Sequence, residues 1–431
     1  MRNLYIGYIL LKRSLMMNKY SREIFFGISF LAVSCTIQST FANSAFSSES
    51  PWMFGDWNGQ RTELQQKGYA GEMATLLDAR HASSHGTEYA DQFAIGAHFD
   101  LNKILGWQDT EAQITVTERN GRSLSQTSDA LNGQSTGVGN SHLSSTQEVW
   151  GRGQTWRLTD FWIKKKFLDQ KLDVKVGRFG EGEDFNSFDC DFQNLALCGS
   201  QVGNWVGDQW YNWPVSQWAA RVKYNVTPDV YAQLGAYEYN PENLERGKGF
   251  NLSTDGSHGA IIPAELVWTP KIGAQKLPGE YRAGYYYSTA DAGVIAHQDQ
   301  KDQHQGGWIV AKQQLTAHNG DVSRGLTGFV NATVHDSETN NVSDMQNIGL
   351  VYKGAMDSRP KDEIAFGLAR INLNDDLNDG RSEEYDAEVY YGLHASNWLT
   401  IRPNVQYIRH VGAYKHGENA WVGGVKFQTA F

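Results

Sequence analysis

The strongest constraint on the fold lies at the end of the chain. Residues 421–431 read WVGGVKFQTAF and stop on an aromatic. Trp421, Val425, Phe427 and Phe431 share one parity, and Lys426 and Gln428 the other. Alternate side chains of a β-strand point to opposite faces, so the segment has an apolar face backed by a polar one. A strand of this kind ending on Phe fits the closing strand of an outer-membrane β-barrel, with its apolar face toward lipid.

The same alternation recurs upstream between polar turns. Apolar Met73 to Leu77 leave Asp78 and Arg80 on the other face, and the odd positions from Phe93 to Leu101 leave His98 and Asp100. Ile114 and Val116 oppose Glu111, Gln113 and Arg119. Val222 and Tyr224 oppose Arg221, Lys223 and Asn225, and Tyr281, Tyr285 and Tyr287 oppose Arg282 and Tyr286. Leu350 and Tyr352 leave Asn347 and Lys353. Tyr385, Val389 and Tyr391 leave Asp386, Glu388 and His394, and Ile401, Val405 and Tyr407 leave Arg402, Asn404 and Gln406. So many charged faces are hard to place on one exposed sheet. A closed barrel puts them in water inside and satisfies every backbone group in lipid. The 44 glycines, the 14 Trp and the 20 Tyr suit turns and interfacial girdles. Past residue 42 no apolar run approaches the ~20 residues of a spanning helix. The expected fold is all-β: a transmembrane antiparallel barrel, with a short N-terminal helix and a loop folded into the lumen.

The N-terminus reads as an export signal. Lys19 and Arg22 precede an apolar run from Ile24 to Ile37, and Thr40-Phe41-Ala42 offers small residues for cleavage after Ala42. Met17 is the better start, and a lipoprotein alternative exists at Cys35. The expected layout is a signal peptide over 1–42, an N-terminal segment over 43–72 with a helix from Asp56 to Lys67, and a barrel over 73–431. Cleavage removes five basic residues (Arg2, Lys12, Arg13, Lys19, Arg22) and one acid (Glu23) from totals of 38 and 48. The remaining 33 and 47 give a net charge near −14, which argues against nucleic acid. Two cysteines then remain, Cys190 and Cys198, and in an exported chain this close pair points to a disulfide. Taking 42 from 431 leaves 389 residues, roughly 24 per strand and connection in a 16-stranded barrel, although 18 strands also fit the count.

Polar loops are expected at 120–150, 180–216, 240–260, 290–305 and 372–384. Residues 177–214 differ from the others in being dense in Asp, Asn, Trp and Phe. Such aromatics need packing partners, and the barrel lumen can supply them. That loop, GRFGEGEDFNSFDCDFQNLALCGSQVGNW, followed by WYNWPVSQWAARVKYN, resembles the carbohydrate-selective porins of the OprB type. GDWNGQRTELQQKGY, PAELVWTP and RPNVQYIRH agree with it, and the resemblance covers 52–431. One departure is Val411 before Gly412, where the family pattern has Pro. The resemblance implies a 16-stranded outer-membrane barrel of a Gram-negative bacterium. It further implies that monosaccharides, glucose above all, diffuse through a constricted eyelet, and that the N-terminal helix lies on the periplasmic side.

A neutral sugar needs donors and acceptors for its hydroxyls and an aromatic surface for its C–H face, held weakly enough to leave. Arg80, Arg119, Arg221, Arg282 and Arg402 are the expected donors, with Glu111, Asp78 and Glu388 as counter-charges. Asp184, Asn186, Asp189, Asn194, Trp205 and Trp213 are the expected eyelet residues from the loop. For Phe192 and for Trp213-Pro214, packing inside the folded loop competes with stacking on sugar. The three lysines at 164–166 read as a solvated rim. No HExxH or Gly-rich phosphate loop occurs, so no enzyme, cofactor or metal is expected. The expected partners are monosaccharides, outer-membrane lipid and, through the terminal strand, the barrel-assembly machinery. A general or non-sugar small-solute porin and a secreted carbohydrate-binding β-protein are the alternatives. The sequence leaves monomer and trimer equally open.

Overall fold

The computed structural model describes residues 44–431 except 84–85, 129–130, 132–141, 208, 298 and 418, with backbone only at 72 and 75–83. The signal peptide, Met17 and Cys35 lie outside the described residues, as do the side chains of Asp78 and Arg80.

Sixteen antiparallel strands close on themselves. They are β1 (Tyr69–Ser83), β2 (Gly86–Asp100), β3 (Thr110–Gly121), β4 (Trp156–Phe167), β5 (Leu172–Phe179), β6 (Gln217–Asn225), β7 (Val230–Tyr239) and β8 (Gly259–Trp268). They continue as β9 (Leu277–Gly293), β10 (Lys301–Gln314), β11 (Gly325–His335), β12 (Val342–Lys353), β13 (Glu363–Leu373), β14 (Glu383–His394), β15 (Leu399–Arg409) and β16 (Ala420–Ala430). β1 pairs with β2 on one side and with β16 on the other, with Ala74 opposite Ala430, and this pairing seals the barrel. A two-residue ribbon, Lys271–Ile272, lies beside the start of β9 and is not part of the wall.

Burial is inverted relative to a soluble core. Outward Val405 is 50% exposed, while its inward neighbour Gln406 is fully buried; Ile348 and Asn347 repeat the contrast at 55% and 1%. Apolar side chains face lipid, and polar ones meet each other inside. Exposed Trp156 and Trp421 stand at the loop ends of their strands and Trp268 and Tyr224 at the turn ends, which is where interfacial girdles belong.

The two longest connections, 122–155 and 180–216, lie at one end of the barrel, the loop end, and the connections from β2 to β3, β4 to β5 and β6 to β7 lie at the other, the turn end. The connection expected at 290–305 is shorter than the polar composition suggests, because β9 runs to Gly293 and β10 starts at Lys301. The 44–68 segment packs at the turn end. Its helix, α1, spans Gln60–Gln66 rather than starting at Asp56. Trp57, Asn58 and Gly59 take positive φ, and Asp56 caps from one turn earlier, accepting 2.8 Å hydrogen bonds from the Thr62 N–H and hydroxyl. Buried Arg61 spans the closing seam. Nη1 donates to the Phe431 carbonyl (2.9 Å) and Nη2 to that of Gly71 (3.1 Å), while the guanidinium lies 4.0 Å from the Trp52 ring. Phe54 packs on Phe431 at 5.4 Å.

Two loops fold inward, where the sequence suggested one. The 180–216 loop is the expected one. In the 122–155 loop, residues 142–149 are also buried. His142 bonds Asp386 (2.7 Å) and faces Glu384 (3.6 Å), and Glu148 pairs with Lys426 (2.9 Å). Burial opposes a charge on His142, but Glu384 and Asp386 outweigh it and raise its pKa.

Candidate functional site: a constricted lumen

The chain between β5 and β6 folds into the lumen against the inner wall. Short helical turns at Glu181–Glu183, Leu195–Leu197 and Val202–Trp205 keep it compact, with Asn194 capping the second through its side chain (2.9 Å to Ala196 N). A disulfide joins Cys190 and Cys198. Phe185, Trp210 and Tyr211 are fully buried, so the aromatics do find their packing inside the barrel.

Wall carboxylates hold the loop by its backbone. Glu388 accepts from Gln193 N (3.0 Å) and Asn194 N (2.7 Å). Glu265 accepts from Asn186 N (3.0 Å), Trp308 Nε1 (2.8 Å) and Arg282 Nη1 (3.0 Å). Glu384 does the same for the other inward loop, accepting from Leu143 N (3.0 Å), and also holds Gly412 N (2.7 Å) of the connection between β15 and β16. A buried backbone N–H without an acceptor costs about 1–3 kcal/mol, so these contacts fix the loop path.

Three loop carboxylates each meet wall cations. Asp184 lies 3.0 Å from Lys175 and 3.6 Å from Arg221, which also bonds Asp173 (2.7 Å). Asp189 pairs with Lys312. Asp191 pairs with Arg402 (2.8 Å), which also reaches Glu363 (3.1 Å). Burial opposes the charge of Asp191, yet Arg402, Lys426 and Lys312 hold its carboxyl below the ordinary value. The loop is thus joined to the wall by contact ion pairs as well as by its backbone. On β2–β4 the polar side chains pair with one another: His98 with Glu111 (3.0 Å), and Glu111 with Lys164. Gln92 Oε1 accepts from Arg119 Nε (2.8 Å) and Trp213 Nε1 (3.0 Å).

The structure sorts the expected site residues into two groups. Asp184, Asp189, Glu111 and Trp213 keep partial exposure on the lumen side. Arg119, Arg221, Arg282 and Arg402 point inward as parity requires, but all four are buried, and the last three are ion-paired to carboxylates. Asn186, Asn194 and Trp205, expected at the eyelet, are corrected to positions inside the packed loop. Asn186 Oδ1 accepts from Val202 N (3.0 Å), and Asn194 Nδ2 donates to Asp386 (2.9 Å). Trp205 and Phe192 join an apolar cluster with Phe329 and Tyr390. Glu388, expected as a counter-charge, holds the loop backbone instead. Lys164 is no solvated rim residue, because it turns in to Glu111. Lys175, Asp191, Lys312 and Glu363 were not singled out from the sequence. β10 carries apolar residues on both faces, which hides Lys312 from a parity reading, whereas β5 alternates cleanly, Leu172, Val174 and Val176 against Asp173 and Lys175, and parity there points Lys175 inward.

A closed sixteen-stranded barrel with an apolar outside and a loop-narrowed, charge-lined lumen defines a porin. The carbohydrate-selective porin, OprB family model matches residues 84–431. Porin B of Pseudomonas aeruginosa is 54% identical, over 90% of this chain and 93% of that protein. The high-pH structure of Pseudomonas putida OprB superposes with a TM-score of 0.86 at 52% identity, covering 90% of this chain and all of that one. The low-pH structure of the same protein gives a TM-score of 0.61 at 46% identity over the same shares. The chain belongs to the carbohydrate-selective porin family and is an outer-membrane protein of the Gram-negative type.

Proposed function

We propose that this porin passes monosaccharides, glucose-type sugars foremost, by diffusion between the acidic loop and the barrel wall. The supporting observation is that Asp184, Asp189, His98, Glu111, Lys164 and Trp213 keep partial exposure on the lumen side, a mixed set of donors and acceptors with one aromatic ring. Paired charges give a hydroxylated solute alternating donors and acceptors without a strong net attraction for either ion sign. A charged hydrogen bond contributes about 1.5–3 kcal/mol, much of it cancelled by lost water. Sugar should then bind weakly, near millimolar, equivalent to ~4 kcal/mol. The outward faces meet outer-membrane lipid, and the terminal strand is the segment offered to the assembly machinery. The alternative, a general small-solute porin, separates in a liposome-swelling assay. Glucose entering several-fold faster than an amino acid of similar size supports the sugar reading. Equal rates overturn it and leave the barrel intact.

A further inference from the structure

Beneath the loop, on the side of the short turns, the lumen holds an open cleft of about 590 Å³ including its mouth. Its strand residues lie near the turn ends: Lys353 is the last residue of β12 and Glu363 the first of β13. Its roof is the loop tip at Phe188, Asp189 and Asp191. Phe188 and Phe329 rings meet at 5.0 Å, and Tyr390 completes an aromatic face. The rim is charged. Asp189 and Asp191 are engaged with Lys312 and Arg402, but the half-buried Lys353 ammonium has no hydrogen bond or ion pair among the described residues.

An aromatic face bordered by one free donor and two carboxylates matches an amphipathic ring: C–H groups on one side, hydroxyls at the edge. We propose that this cleft is a second sugar station, on the turn side of the constriction, in which a neutral monosaccharide stacks on Phe188 and Phe329 and accepts a hydrogen bond from Lys353. This rests on the monosaccharide reading above. A station past the narrowest point shortens each step of the solute's path, because the sugar exchanges one set of hydrogen bonds for the next before it meets bulk water. Multiple weak sites of this kind favour throughput over retention.

The test is single-channel recording of the full-length protein in planar bilayers with glucose. The wild type should show current blocks with two residence times. Lys353→Met and Phe188→Ala should each shorten one residence time about tenfold, the change expected for ~1.4 kcal/mol. Both should leave the other residence time within twofold, and Lys353→Arg should retain both. Heat-modifiable migration on gels confirms that each variant is folded. One residence time, unchanged in Lys353→Met and Phe188→Ala, overturns the second station while the sugar reading stands. Absence of glucose block in the wild type, with normal ion conductance, overturns both. Block by gluconate but not by glucose overturns the neutral-ligand assignment.

Discussion

Two sides of the barrel carry similar polar side chains and use them differently. On β8 and β14 the inward carboxylates Glu265, Glu384 and Glu388 accept backbone N–H groups from loops, and all three are buried at 4% exposure or less. On β2–β4, His98, Glu111 and Lys164 pair with one another and stay about one-fifth to one-third exposed. The first set acts as glue and the second as lining. Inward polarity therefore does not identify a pore residue. What matters is whether a neighbouring segment consumes the side chain's hydrogen-bonding capacity.

Removing glue should have the largest effect. Glu388→Ala leaves the N–H groups of Gln193 and Asn194 without their acceptor, a loss of roughly 2–5 kcal/mol. The unfolding midpoint should fall and conductance should rise as the loop loosens. Wild-type values of both would break the comparison.

The second test uses pH. Burial pushes the Glu181 carboxyl up to about 8 from an ordinary 4.5, although Tyr211 N donates to it at 2.9 Å. The folded state holds this proton more tightly than the unfolded chain. The stability it gives is full below about pH 4.5, declines as pH rises, and is lost above about 8. Glu181→Gln should flatten that decline and exceed the wild type at pH 9 by on the order of a few kcal/mol, with little difference at pH 4.5. Parallel denaturation curves at the two pH values would exclude this role.

Arg61→Ala probes the wall itself. It removes the donors that bridge the ends of β1 and β16, and it should lower stability by about 1–3 kcal/mol with unchanged conductance. A conductance change without a stability change would move Arg61 from the seam to the permeation path. The smallest energetic effect belongs to the lining. Glu111→Gln breaks these partly exposed pairs and should cost within about 1 kcal/mol. It should nevertheless move the reversal potential toward anion preference. Loss of folded protein would place Glu111 with the glue.

The barrel was legible because lipid leaves the wall little choice. Val405 and Gln406, or Ile348 and Asn347, cannot exchange faces without putting an amide in hydrocarbon, so period-two alternation carries the fold directly in the sequence. The inward-folding aromatic loop and the Cys190–Cys198 disulfide were legible for a related reason: an exported surface loop rarely leaves seven large aromatics in water or a close cysteine pair reduced. The division of inward residues into glue and lining was not legible. Asn194 and Asp189 stand five residues apart in one polar string, yet one is buried under Asp386 and Gln406 and the other faces Lys312 in the lumen. The 3₁₀ turn that follows Asn194 and the wall behind it decide this, and neither leaves a period in the sequence. Sequence alone determined which side of the wall the residues of the alternating strands face, because the bilayer enforces it locally. Tertiary structure alone decided which inward side chains remain free to meet a solute, because that depends on partners 200 residues away competing for the same hydrogen bonds.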